Sequence, residues 1–220
     1  MYQPPHFRED RLEVQHGLIR AHPLALLVTA GLGGLMANAI PFTLETTATG
    51  DGVLRAHLAR ANPQWREFDG KLECLVIFQG PDSYITPSWY ATKAETHKVV
   101  PTWNYAMVHA WGTPVVHDDA MWLRRQIDQL TSEREAHRAA PWSVADAPGP
   151  FIDAQMHGIV GIEMPIARIE GKWKVSQNRP AADRVGVHAG LQADQGAGCP
   201  MAQLVAERGG LGHTKTVTMS

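Results

Sequence analysis

The chain has 220 residues, 44% hydrophobic and 19% charged, with a formal net charge of -2, which is enough apolar material for one sizeable core. Its longest basic run is Arg124-Arg125, so composition argues against a broad nucleic-acid-binding face. No apolar stretch approaches the roughly 18 residues of a membrane span, and Met1-Tyr2-Gln3-Pro4-Pro5 lacks the basic-then-apolar pattern of a signal peptide.

In chain order, Arg8 to Ala21 reads as a helix with Leu12 and Ile19 on one face, stopped by Pro23. Leu24–Thr29 is a short apolar run of the kind buried on both faces of a sheet, followed by a turn at Gly31-Leu32-Gly33-Gly34. Leu35–Leu44 is a second strand, broken or bulged at Pro41. Thr49-Gly50-Asp51-Gly52 is a hairpin turn into a third strand, Val53–Ala59. Asn62-Pro63 has the form of an N-cap and first position of a short helix through Phe68.

Leu72–Phe78 reads as a strand broken by Gly80-Pro81, with Ser83–Tyr90 extended and Ala94–Lys98 a loop. A long strand is expected near Thr102–Val116, then a helix capped by Asp118 and Asp119 and running to about His137, with Leu123, Ile127 and Leu130 on one face. Ala140–Pro150, with three prolines, is expected to be a linker. Ile159–Ile169 is a strand whose Val160, Ile162, Met164 and Ile166 alternate inward, and Trp173–Gln177 is another. One or two short helices and a polar tail, Gly209–Ser220, finish the chain. The pattern is mostly β with peripheral helices (α+β). It lacks the regular βαβ alternation of a doubly wound sheet and favours a closed or partly closed antiparallel barrel.

Four of the seven tryptophans and three of the four tyrosines fall between His57 and Trp111, interleaved with Arg60, Asn62, Ser88, Lys93, Thr102 and Asn104. Aromatic faces beside fixed hydrogen-bond donors suit a planar heteroaromatic ring. Cations, hydroxyls and a helix start suit a phosphate dianion. Ordinary core packing explains the clustering of aromatics about as well. No His-x-His or His-Glu-x-x-His spacing points to a metal site, and no nucleophile–base constellation points to acyl transfer. His57 and His109 lie on expected strands, where a lone histidine is more often structural. Cys199-Pro200 is too short to argue haem sensing. Cys74 and Cys199 are the only cysteines and make no disulfide framework, so a reducing cytoplasm is the expected compartment.

The runs His57–Trp65, Phe78–Tyr90 and Val100–Tyr105 resemble the PaiB-like family, described as FMN-binding negative transcriptional regulators. So do Met1-Tyr2, Pro5-His6-Phe7, Ala39–Phe42 and Lys174-Val175-Ser176-Gln177-Asn178. The resemblance covers about residues 1–191 as one domain, leaving 192–220 as a C-terminal helix and polar tail. It implies an antiparallel FMN-binding split β-barrel working as a homodimer, with flavin at the subunit interface.

On that implication, Arg60 and Lys93 are expected at the FMN phosphate, with the Ser88 and Thr102 hydroxyls beside them. Asn62 donates to the flavin or caps its helix. Asn104 and Gln177 face the pyrimidine edge, Trp89 and Trp103 flank the ring, and Tyr90 and Tyr105 pack the barrel. Lys174, from the partner subunit, offsets charge on the reduced flavin. DNA as a partner rests on the resemblance alone, since the sequence shows no helix-turn-helix. An FMN-dependent oxidoreductase with no DNA role is the alternative.

Overall fold

The computed structural model describes residues 1–31, 33–48 and 50–211. Leu32 and Thr49, which belong to the two turns expected from sequence, and residues 212–220 of the expected polar tail lie outside the described residues. The described chain divides into two compact units.

The larger unit comprises Arg11–Phe78 and Val108–Glu170. After α1 (Leu12–Ala21), the hairpin β2 (Leu24–Gly31) and β3 (Gly34–Pro41) pairs antiparallel from Leu24↔Pro41 to Gly31↔Gly34. A second sheet has the order β4-β5-β9-β8, formed by Thr43–Glu45, Val53–Ala59, Ile159–Pro165 and Val115–His117. One face of this sheet is core: Leu54, Ala56, Leu58, Val160, Ile162 and Met164 are all buried. Phe42 and Phe78 meet edge to face at 6.0 Å. The helix α3 (Ala120–Glu135) is capped by Asp119, whose Oδ1 accepts the Trp122 N–H at 2.8 Å. Its Leu123 joins Val144, Ile152 and Met156 in a satellite core.

The smaller unit comprises Met1–Asp10, Gln79–Met107 and Gly171–Ser220. Here β1 (Arg8–Glu9) pairs antiparallel with β10 (Arg168–Lys174) at Gly171 and Lys172, and the sheet continues through β7 (Thr102–Gly112) to β6 (Cys74–Ile85). The short helix α2 (Thr92–Thr96) is tied to α5 (Ala181–Gln195) by the buried Asp183, which accepts from Thr92 N at 2.9 Å and Thr92 Oγ1 at 2.8 Å. The Trp89 indole lies on α5 at Gly190, where a Cβ would sit 2.3 Å from the ring. The helix α6 (Pro200–Gly209) packs on α5.

Several expectations shift. The first helix starts only at Leu12, because Arg8 and Glu9 are drawn into sheet pairing. The Gly80-Pro81 step does not break β6, which runs on to Ile85; a proline is tolerated in a strand where its nitrogen faces away from the ladder. The expected loop at Ala94–Lys98 begins as α2 and ends at His97, in the left-handed region at φ 54°. The expected linker holds a 3-10 turn, Val144–Asp146, and the start of α4 (Gly149–Met156). The long strand ends at Gly112, where a Cβ would stand 2.2 Å from the Pro165 carbonyl oxygen. Val115–His117 is therefore a separate strand. Finally, β2 is not covered on both faces. Ala25, Leu27 and Thr29 are buried, while Leu24 and Leu26 are exposed.

Candidate functional site

Within the smaller unit, three of the expected residues share one cleft. Strand alternation puts Thr102 and Asn104 on the same face of β7, and the neighbouring strand β10 ends at Lys174. Thr102, Asn104 and Lys174 line the cleft with Phe7, Ser176, Asn178 and Arg179, around a volume of about 160 Å³. The Lys174 ammonium donates to Thr102 Oγ1 at 2.5 Å and to the Trp103 carbonyl. Asn104 is buried, and its Nδ2 donates to Ser176 Oγ at 2.9 Å. Ser176 sits at φ 65°, a left-handed conformation costly for a residue with a side chain.

The electrostatics are one-sided, because the lining includes no carboxylate. Burial pushes the Lys174 pKa below the usual lysine value, and the positive charges of Lys172 and Arg179 push it further the same way. A half-buried ammonium with neutral partners and cationic neighbours is the environment an anion would relieve. Two cations, two hydroxyls and two amides are also the donor set that a phosphate takes, so the residues present fit that end of FMN. The volume holds a phosphate and is well short of the roughly 300 Å³ at which ligand pockets usually begin.

The remaining expected residues fall elsewhere. Trp103 is on β7 but faces away from Thr102 and Asn104; it is half exposed and meets Tyr84 edge to face at 6.0 Å. Lys93 is exposed and donates to Ser88 Oγ at 3.2 Å, making a separate surface pair. Gln177 Nε2 donates to the carbonyls of His6, at 3.0 Å, and Trp173, while its Oε1 accepts Val175 N at 2.8 Å. Its amide is thus engaged in holding the turn after β10.

Arg60 and Asn62 belong to the larger unit. The Arg60 guanidinium donates to both Asp118 oxygens, at 2.9 and 2.5 Å, and to the carbonyls of His157 and Ile159. The Arg60 hydrogen bond holds the Asp118 carboxyl below its ordinary pKa. Asn62 caps its 3-10 turn, accepting the Gln64 N–H at 3.0 Å. Sequence reasoning missed Ser176, Asn178 and Arg179. The available signal was the alternation of polar residues 174, 176 and 178 in a motif otherwise noted only for its composition.

The antiparallel strand order, with its helical additions, is that of a split-barrel fold. Its fold is similar to the FAD and heme binding protein of Mycobacterium smegmatis, with TM-score 0.55 and 18% identity, covering 76% of this chain and 73% of that one. A family model described as "Putative FMN-binding domain" matches residues 1–168. The chain is 36% identical to the uncharacterized protein AN0679 of Emericella nidulans, over 95% of this chain and 98% of that protein. It is 30% identical to protease synthase and sporulation protein PAI 2 of Bacillus subtilis, over 94% of this chain and 95% of that protein. The chain therefore belongs to the FMN-binding domain family, and the PaiB-like resemblance read from its motifs is borne out. The cleft residues on and after β10 lie past the last residue of the family match. Among the described residues, no group of His, Cys, Asp and Glu could hold a metal ion, and no helix is long and apolar enough to cross a membrane.

Proposed function

We propose that this protein is an FMN-binding homodimer in which the Thr102–Asn104–Lys174 cleft receives the flavin phosphate. The observation that carries the reading is the Lys174 ammonium, half-buried and facing only neutral acceptors in a cleft with no carboxylate. Family membership supplies the cofactor, a redox-active isoalloxazine ring on a phosphorylated side chain. Because the cleft is small, the ring lies outside it and needs a second wall, which a partner subunit supplies. Arg60 has its guanidinium engaged by Asp118 and stabilises the larger unit.

Support for the dimer comes from the outer face of the β2–β3 hairpin, where Leu24, Leu26, Ala30, Leu35, Ala37 and Ala39 form a continuous apolar surface. Leu24 is 64% exposed and Leu35 82%. A patch of this kind on a lone chain marks an association surface. Both cysteines are buried free thiols, which suits a reducing cytoplasm.

Absorption spectra of purified protein, with and without added FMN and after dialysis, test the reading. Retained oxidised-flavin absorption is expected, and a preparation that takes up no FMN refutes it. Transcriptional regulation, the role the family resemblance implies, is proposed as an action of this flavin-loaded dimer. Mobility shifts at moderate salt with specific and random DNA test it, and equal binding to both sinks direct regulation.

A further inference from the structure

The larger unit contains a second cleft that the flavin reading does not use. Across the three adjacent strands β5, β9 and β8, His57 pairs with Gly161 and Gly161 with His117, while one step along Arg55 pairs with Glu163. These residues face away from the buried side of the sheet. The helix α3 lies over them with Trp122, Arg125 and Gln126. A Cβ at Gly161 would stand 2.2 Å from the Trp122 ring, so only glycine lets the indole reach the strand. The Trp122 indole stacks on the His117 imidazole at 4.4 Å, with the planes 2° apart. Beside this stack is a cleft of about 370 Å³ lined by Arg55, His117, Trp122, Arg125, Gln126 and Glu163.

Two features of its wall call for a ligand. Gln126 is only 2% exposed, and its Oε1 lies 2.7 Å from His57 Nδ1, leaving Nε2 buried with no partner among the described residues. Either orientation of the amide leaves one polar atom unmatched, a state that costs about 1–3 kcal/mol. His117 Nε2 is likewise buried and unmatched among the described residues. The second feature is charge. Arg55 is shared by two carboxylates, Glu163 at 2.7 Å and Glu45, whereas Arg125 has no ion pair among the described residues. The cleft therefore offers one guanidinium without an ion pair among the described residues, one buried amide donor and a flat aromatic wall.

We propose that this cleft is a second binding site, and that it takes a small organic carboxylate. A planar carboxylate matches the fork of the Arg125 guanidinium, which has no ion pair among the described residues. Its second oxygen accepts from Gln126 Nε2, and any attached ring lies along the Trp122–His117 stack.

Calorimetric titration of the full-length protein with acetate, succinate, benzoate, benzamide and inorganic phosphate tests this. Saturable binding of at least one carboxylate is expected, with benzamide at least about tenfold weaker than benzoate if benzoate is the one bound. Gln126→Glu keeps an acceptor for His57 but places a negative charge at the donor position, and should abolish carboxylate binding. Arg125→Gln, at an exposed position, should weaken it at least about tenfold without loss of fold. FMN uptake should be unchanged in both variants, so the outcome is independent of the flavin site. The proposal is overturned if no carboxylate binds saturably, if phosphate binds as well as the best carboxylate, or if Arg125→Gln binds like the parent. In the first case the cleft holds solvent only.

Discussion

Replacing Lys174 by methionine removes the charge at the cleft while keeping much of the side chain's length. An ammonium has three donors. Two are taken by Thr102 Oγ1 and the Trp103 carbonyl, so one remains for a ligand. A hydrogen bond to a charged group contributes about 1.5–3 kcal/mol, so losing one should weaken FMN binding about 10- to 150-fold. Riboflavin lacks the phosphate and serves as the control; its affinity should not change. Calorimetry of both ligands with parent and variant reads the result directly. Equal losses for FMN and riboflavin would move Lys174 to the ring or to the fold, and unchanged FMN affinity would remove it from the site.

The same residue predicts a pH dependence. The ammonium is the binding form, and burial with two cationic neighbours places its pKa below the usual 10.5. FMN affinity should therefore fall as the pH rises through that lowered value, earlier than for a free lysine, and Lys174→Met should flatten this limb. For the flavin-free protein the sign is opposite. The cost of the buried charge is fully present below the lowered pKa and is relieved as the pH climbs towards 10.5.

Three further outcomes follow from packing. Leu26→Lys places a charge in the apolar β2–β3 face and should convert a dimer to a folded monomer by light scattering; an unchanged mass would mean that this face is not the interface. Gly186→Ala places a Cβ 2.0 Å from the Trp89 carbonyl oxygen, a backbone clash costing about 1–3 kcal/mol. It should lower Tm by about 2–4 °C for each kcal/mol, and an unshifted thermal melt would contradict the α5 packing. Burial, aided by Glu73, pushes the Cys74 thiol up to about 12. It should resist Ellman's reagent at mildly alkaline pH until the protein is denatured, and prompt reaction in the native state would refute its enclosure.

Much of the fold was legible because it rests on local rules. Val53–Ala59 was readable from its turn and alternation, Asn62 and Asp119 from capping chemistry, and the inward set Val160, Ile162, Met164 and Ile166 from its period of two. The misreadings arose where distant partners override local preference. Arg8 and Glu9 look helical in isolation, but pairing with β10 holds them extended. Pro81 looks like a break, but the sheet carries the strand through it.

The sequence by itself determined the family, the strand-rich class and the kinds of side chain available for a flavin phosphate, since these depend on composition and on contiguous motifs. Only the tertiary structure decided which of those side chains meet. Thr102 and Asn104 join Lys174, Ser176 and Arg179 because β7 and β10 are neighbours in the sheet although some 70 residues apart. Trp103, between two cleft residues in sequence, faces the other way because side chains alternate along a strand. Arg60, the residue most suggestive of phosphate binding in the linear motif, is engaged by Asp118, which lies 58 positions further along the chain. Whether a charge is free to bind a ligand depends on its partners in space, and local sequence does not carry that information.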